Sequence, residues 1–479
     1  MPRKMAMGAA RAFSVLYFSL AALVSGLALT TGAYMELEIW LLSAISSVAA
    51  VAVLLLGVGI FGAYDIRTLF NLTYVFFMFG SVILSLFLPV ELRYVESITT
   101  TAFDPANFAE AVVLSAFPIF VINLGFVFFS NRRRYGHCKR NPRLDEKLFK
   151  IGSAFFWIGL PAFVWKGVAV ARFALGSGYV AFYSTSLADI VAYPELFQLG
   201  SNVFYLGFFL ILCTVPARER ILKYFVVFFL VSVIDSLKGN RGMIFLIPLF
   251  SIWYFGCFYG MRLGFRQMVK GAALFMLLIF GANTLLAQRS GAADESTAAL
   301  AAFVLSASTT NRVVNYYLDN RDKLPQPKIG YIFEPLVFPF NYLMHRETLA
   351  QGQTEEVVRI RENLNHRLTY YISPDYYLIG GGLGSSFILE MYEFGVPGVL
   401  FFSLLFAMLV NKYMGTLPHS RLAIFLSFLI VTHILMMPRA EYVPGIWSIG
   451  KYACLYLVVV FLARRIKLNL QVAGTRAYS

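Results

Sequence analysis

Apolar runs set the rhythm of this chain. Windows of about 20 residues, the length at which a helix crosses a hydrocarbon core roughly 30 Å thick, fall near 12–31, 39–62, 68–89, 108–130, 148–171, 196–215, 221–237, 242–261, 271–287, 386–410, 421–437 and 446–463. Twelve spanning helices are expected. Most connections between them are short, but Phe173 to Glu195 and Gln288 to about Leu383 are not. The second is the longest polar, turn-rich stretch, and function concentrates in such loops. The pattern divides the chain into 1–287 with spans 1–9, a large external loop over 288–383, and 384–479 with spans 10–12 and a tail. The expected fold class is an all-α polytopic integral membrane protein.

Inside the loop, SGAADESTAALAAFVLSASTTNRVVNYYLDN reads as a polar turn followed by a helix that stops before KLPQPKIGY. The piece EPLVFPFNYLMHRETL is apolar but too short and too charged to span, as an interfacial or re-entrant helix would be. TEEVVRIRENLNHRLTYY places Glu355 and Glu356 before Arg359, Arg361 and Arg367, the charge order that suits a helix dipole. No fixed-period repeat stands out.

Composition agrees with the pattern: of 479 residues 59% are hydrophobic and 16% aromatic, with a mean hydropathy of +0.69, where soluble chains are roughly 45–50% apolar. Basic residues set the orientation. Arg3, Lys4 and Arg11, then NRRRYGHCKRNPR, PARER, MRLGFRQMVK and ARRIK all fall on one side of a twelve-span chain, which the positive-inside rule makes cytoplasmic, with both termini. The first apolar run is full length and lacks the short core and cleavage site of a signal peptide, so it is expected to be retained. The net charge of +14 is then topology signal and attraction to an anionic inner leaflet, and no nucleic-acid partner is implied. Cys138, Cys213, Cys257 and Cys454 fall in a cytoplasmic loop or within spans, so no external disulfide framework is expected.

Against this frame the outward cations stand out: Lys238, Arg241, Arg289, Arg312, Arg346, Arg359, Arg361, Arg367 and Arg439, with His345 and His366. For Arg359 and Arg361, intrahelical pairs on a solvated face are the simpler expectation. Arg241 and Arg439 sit in very short turns at membrane depth, where a guanidinium needs a counter-anion and offers a fork of donors suited to phosphate. Headgroup snorkelling accounts for one such arginine about as well. Arg289, at the end of span 9, makes a third and favours a shared anion site, with a lipid-linked pyrophosphate of the outer leaflet as its expected occupant.

GGGLGSSFILEMYEFGVPG carries a second signal. Gly380, Gly381, Gly382 and Gly384 permit close backbone approach, and a helix expected from Ser385 or Ser386 would aim unpaired N–H groups outward at an anion or sugar oxygen. The Lys of a nucleotide phosphate loop is missing. Glu390 and Glu393 follow within the outer half of a helix, where carboxylates are costly and count as functional candidates; Glu390 serves equally well as a strut that holds the site together. Asp375 and His366 are the competing bases. Tyr370, Tyr371, Tyr376, Tyr377 and Tyr392 crowd the same interface, either as an ordinary aromatic belt or as faces for sugar rings. No metal-ligand spacing appears outside.

The outward KGNRG turn, the late external loop and the GGGLGSSFILEMYEFGVPG segment together resemble the Wzy-type O-antigen and oligosaccharide repeat-unit polymerases, over roughly residues 230–450. That resemblance implies a GT-C-like glycosyltransferase of the bacterial inner membrane with a helical periplasmic loop. It would use undecaprenyl-diphosphate-linked oligosaccharides as donor and acceptor, with no cofactor or metal, and it brings in a chain-length-regulating co-polymerase as a partner. The growing chain would pass from its carrier to a hydroxyl of an incoming lipid-linked repeat, so two subsites are implied. Arg241, Arg289, Arg439, Lys238 and Arg312 would hold the pyrophosphate; Glu390, Asp375 or His366 would take the acceptor proton. Gly382, Gly384, Ser385, Ser386, Tyr376 and Arg367 would contact substrate.

Two other readings share parts of this pattern. The related ligases, which join finished polymer to lipid A core, typically carry a His shortly after the glycines, where this chain has Ser385, Ser386 and Phe387. A twelve-span transporter, or a flippase for the same lipid, would fit the span count and the GAYDIR turn. Against it stand the very short PARER connection and the late position of the external loop.

Overall fold

The computed structural model describes residues 2–87, 103–130, 141–177, 190–191, 193–236, 242–261, 308, 310–350 and 352–465, and every regular element among them is helical. The first half supplies α1 (Pro2–Thr31), α2 (Ile39–Phe61), α3 (Ile66–Ser85), α4 (Pro105–Phe128), α5 (Pro142–Ser177), α6 (Pro194–Thr214), α7 (Arg218–Ser236) and α8 (Gly242–Tyr259). A run of shorter helices follows: α9 (Thr310–Asn320), α10 (Glu334–Met344), α11 (Arg346–Ala350), α12 (Glu355–Ile360), α13 (Leu364–Ile372) and α14 (Pro374–Leu378). The chain then passes through α15 (Phe387–Tyr392), α16 (Gly395–Thr416), α17 (Arg421–Phe425), α18 (Ser427–Met436) and α19 (Ile446–Arg465).

Nine of the described helices, α1 to α6, α8, α16 and α19, are long and apolar enough to cross a membrane. Three expected windows take another form. The window at 221–237 lies on α7, whose first turn is charged with Arg218, Glu219 and Arg220. The window at 421–437 is two short helices, α17 and α18. The window at 386–410 is broken between α15 and α16, where Gly395 takes a φ of +67° that favours glycine. The window at 271–287 lies outside the described residues.

Helix α4 is the axis of the bundle. Asp104 caps it by accepting from the Ala106 N–H at 2.8 Å, with Pro105 pre-set at its first position. Nearly all of its side chains are buried, and α1, α2, α9 and α16 pack around it. Its Asn123 exchanges amide hydrogen bonds of 2.8 and 2.9 Å with Asn71 of α3, so two buried polar groups satisfy each other.

A second group forms on α5 and α6. Gly152 and Gly159 face Gly200 and Gly207 at seven-residue spacing, and a Cβ at Gly159 would stand 2.4 Å from the Phe204 N, one at Gly207 2.3 Å from the Phe156 N. Backbone therefore meets backbone. In lipid, where helix association relies on packing rather than on escape from water, such small-residue seams supply the contact.

The two ends of the bundle differ. At the basic end, Arg67 is held by Asp65 at 2.7 Å and reaches Asn411 of α16 at 3.0 Å, while Arg421 pairs with Asp145 at 2.8 Å. At the other end the short helices α9 to α14 form a cap. Asn107 of α4 donates to Asp319 at 2.7 Å, and the buried Glu110 accepts from Tyr392 at 2.7 Å and Tyr34 at 3.3 Å. The Arg67–Asp65 and Arg421–Asp145 pairs thus lie at one end and the cap helices at the other, while the basic stretches at 131–140 and 262–270 lie outside the described residues.

Candidate functional site

The cap meets the bundle around one irregular turn. Within α3, Val75–Phe79 forms a π-helical turn that packs against both α9 and the Met437–Arg439 turn after α18. Such bulges re-aim a helix locally and recur at functional sites. Arg312 on α9 and Arg439 are therefore carried by two neighbours of one structural feature.

Arg312 is more than half buried, and burial lowers its pKa from the usual arginine value. No hydrogen bond or ion pair engages its guanidinium among the described residues. A guanidinium remains charged at any ordinary pH, so this is a positive charge held partly out of water without a counter-charge bound to it among the described residues. The neighbouring Val313 lies where a Cβ at Gly384 would meet its Cγ2 at 3.6 Å, which sets α9 beside the glycine stretch. There the chain needs glycine twice over: Gly380 and Gly384 have φ of +100° and +102°. At Gly381 a Cβ would strike the Tyr376 ring at 2.5 Å. Next to them the Ser385 hydroxyl is buried and has no partner among the described residues.

The Arg439 turn is gripped from three sides. Ser386, the cap of α15, donates its hydroxyl to the Pro438 carbonyl at 3.1 Å. Glu390 accepts the Tyr442 N–H at 2.8 Å, and Asn363 donates to Glu441. The helix begins at Phe387, with Ser386 as its cap, against an expected start at Ser385 or Ser386. Glu390 is 1% exposed. Its visible task is to hold backbone.

His366 lies elsewhere in the cap. Arg361 can only donate, so at 3.2 Å the His366 Nε2 accepts, and Nδ1–H donates to the Tyr377 hydroxyl at 2.7 Å. Burial, and then the Arg361 charge, depress its pKa to about 4. The ring is neutral and both nitrogens are occupied. Asp375, in the first turn of α14, is exposed. Arg367 is buried and internally engaged: it pairs with Glu362 at 3.2 Å and donates to the Pro325 carbonyl at 3.3 Å. Gly382 lies 3.6 Å from Asn365 at its would-be Cβ. Lys238, Arg241 and Arg289 lie outside the described residues.

Sequence reasoning missed the long-range partners. Arg359 does pair with Glu355 four residues back at 2.5 Å. Arg361 instead reaches Glu334, a buried carboxyl whose pKa burial raises, at 3.2 Å. Nearby, a cavity of about 260 Å³ is lined by Lys328, Glu334, Asn341, His345, Arg359 and Glu362. Its mixed donors and acceptors suit hydroxyl-rich ligands. The only sequence signal for it was the loop's length.

Fold and site define a class: a multi-pass, all-helical membrane protein with a polar helical cap packed on one end of its bundle. Within that class, the family of the O-antigen polysaccharide polymerase Wzy matches residues 13–469, and the chain belongs to this family. Neither the curated proteins nor the solved structures contain a match to it.

Proposed function

We propose that the protein polymerises surface polysaccharide at the periplasmic face of the bacterial inner membrane, with both termini cytoplasmic and a GT-C-like arrangement of about twelve spans. The growing glycan is transferred from undecaprenyl diphosphate to a sugar hydroxyl of a lipid-linked repeat. The acceptor oxygen attacks the anomeric carbon as the bond from that carbon to the diphosphate oxygen breaks. The leaving diphosphate gains negative charge, and its neutralisation is the electrostatic task of the site.

The observation that carries this reading is Arg312, a partly buried cation with no internal partner among the described residues, set beside the glycine stretch. Arg439 joins it across the π turn, and Arg241, Arg289 and Lys238 complete the proposed pyrophosphate set. Gly382, Gly384 and the Ser385 hydroxyl offer polar contacts to the substrate, and Tyr376 an aromatic face. The polar cavity in the cap is a seat for the glycan.

Among the candidate bases, Asp375 is accessible and takes the acceptor proton. Glu390 and Ser386 are positioning residues for the Arg439 turn, His366 orders the cap as a neutral ring, and Arg367 braces the Pro325 carbonyl and the Glu362 carboxylate. A co-polymerase that sets chain length would act on this enzyme from outside the described contacts.

The test is genetic and biochemical. A deletion strain should display core with a single repeat unit on a polysaccharide gel, and wild-type but not Arg312→Ala complementation should restore the ladder. Intact polymer accumulating on its lipid carrier would mark a ligase, and an unchanged ladder would sink the reading.

A further inference from the structure

A separate cavity of about 290 Å³ opens between α5, α6, α18 and α19, with none of its lining residues on the cap helices. Its two parts differ in chemistry. Phe163, Phe209 and Leu429 form an apolar floor, while Lys166 and Lys451 stand over it. Lys166 donates to the Gln198 side-chain carbonyl at 2.6 Å. Lys451 donates to the Asn202 Oδ1 at 3.0 Å, and the Tyr452 hydroxyl reaches the same oxygen at 3.3 Å. The Lys451 ammonium thus meets a neutral amide, and no lining residue among those described is a carboxylate.

Position gives the cavity its meaning. Gln198 and Asn202 lie in the first turns of α6, and Lys451 in the first turns of α19. Both starts belong to the end of the bundle that carries the cap. Two ammonium groups at a helix boundary, above an aromatic floor and in a wall open to lipid, match a ligand with an anionic head and a hydrocarbon body. With the Asn202 carbonyl occupied, its amide hydrogens have no protein acceptor among the described residues and add a donor for head-group oxygens.

We propose that this cavity is a binding site for the phosphate head of a membrane lipid, distinct from the site around Arg312 and Arg439. Two sources share that chemistry: a polyprenyl diphosphate, which would make the cavity a second seat for the carrier lipid, and an anionic glycerophospholipid. The site stands on its own geometry, so it does not require the polymerase reading.

Native mass spectrometry of the full chain from phosphatidylcholine nanodiscs, titrated separately with undecaprenyl diphosphate and with phosphatidylglycerol, tests it. At least one lipid should bind wild type and lose about tenfold in affinity in Lys451→Met, about the effect of one charge-assisted hydrogen bond, and more in Lys166→Met/Lys451→Met. Lys451→Arg should bind as wild type does, which separates charge from folding. Loss confined to undecaprenyl diphosphate identifies the carrier lipid, and loss confined to phosphatidylglycerol a bilayer lipid. Either supports the site. Affinities for both lipids within twofold across wild type and the double variant, or no binding of either lipid to wild type, would overturn it.

Discussion

Glu390 and Tyr442 are joined by a 2.8 Å hydrogen bond from the Tyr442 N–H to a carboxylate oxygen, three residues beyond Arg439. The bond ties the start of α15 to the turn that carries an outward arginine. It makes the role of Glu390 testable, because an amide can accept that N–H as a carboxylate does. Glu390→Gln should therefore keep a polysaccharide ladder close to wild type, whereas Glu390→Leu strands a buried donor at a cost of about 1–3 kcal/mol and should lose most of it. Ladders are compared at matched membrane levels. Complete loss in Glu390→Gln would make the carboxylate a proton acceptor after all.

Arg312 is expected to separate activity from stability. Its guanidinium has no internal partner among the described residues, so Arg312→Ala should leave the melting temperature in detergent unchanged or slightly raised. Polymerisation should fall by roughly 10- to 100-fold, the size of one or two charge-assisted contacts. Arg312→Lys should recover only part. A variant that unfolds would make Arg312 a structural residue.

The pair Glu334 and Arg361 predicts the opposite outcome. Glu334 is buried and Arg361 only partly exposed, so Arg361→Ala leaves a carboxyl in the cap without its cation, at a cost of about 3 kcal/mol. The double change Arg361→Ala/Glu334→Leu should recover much of that loss. Limited proteolysis of the cap measures both.

His366 gives the cap a pH dependence of defined sign. Its ring titrates at about 4 in the fold against 6.5 normally, so between those values the unfolded cap binds more protons than the folded one. Stability is unaffected above about pH 6.5 and falls as pH drops toward 4, by on the order of 3 kcal/mol in full. Hydrogen exchange in α13 should show this slope for wild type and a flatter one for His366→Gln.

Much of the fold was legible because membrane crossing demands long apolar runs, and nine such helices appear among the described residues. The break before α16 was not: FILEMYEFGVPG falls inside one apolar window despite Glu390 and Glu393, and hydropathy carries no trace of the positive φ at Gly395. In the candidate site, the Arg359–Glu355 pair followed from spacing along one helix. The partners of Arg361 and Glu390 did not, since Glu334 and Tyr442 come from segments that only the folded cap brings near. The Arg367 side chain illustrates the same limit: the resemblance put it on substrate, and its pairing with Glu362 shows only in the fold.

The glycine seam between α5 and α6 has a consequence for traffic through the protein. With Gly159 and Gly207 each leaving less than a methyl group's clearance to the facing backbone, a hydrocarbon chain has no passage between these two helices. They move as one panel, and any lipid tail that enters must do so through another part of the perimeter.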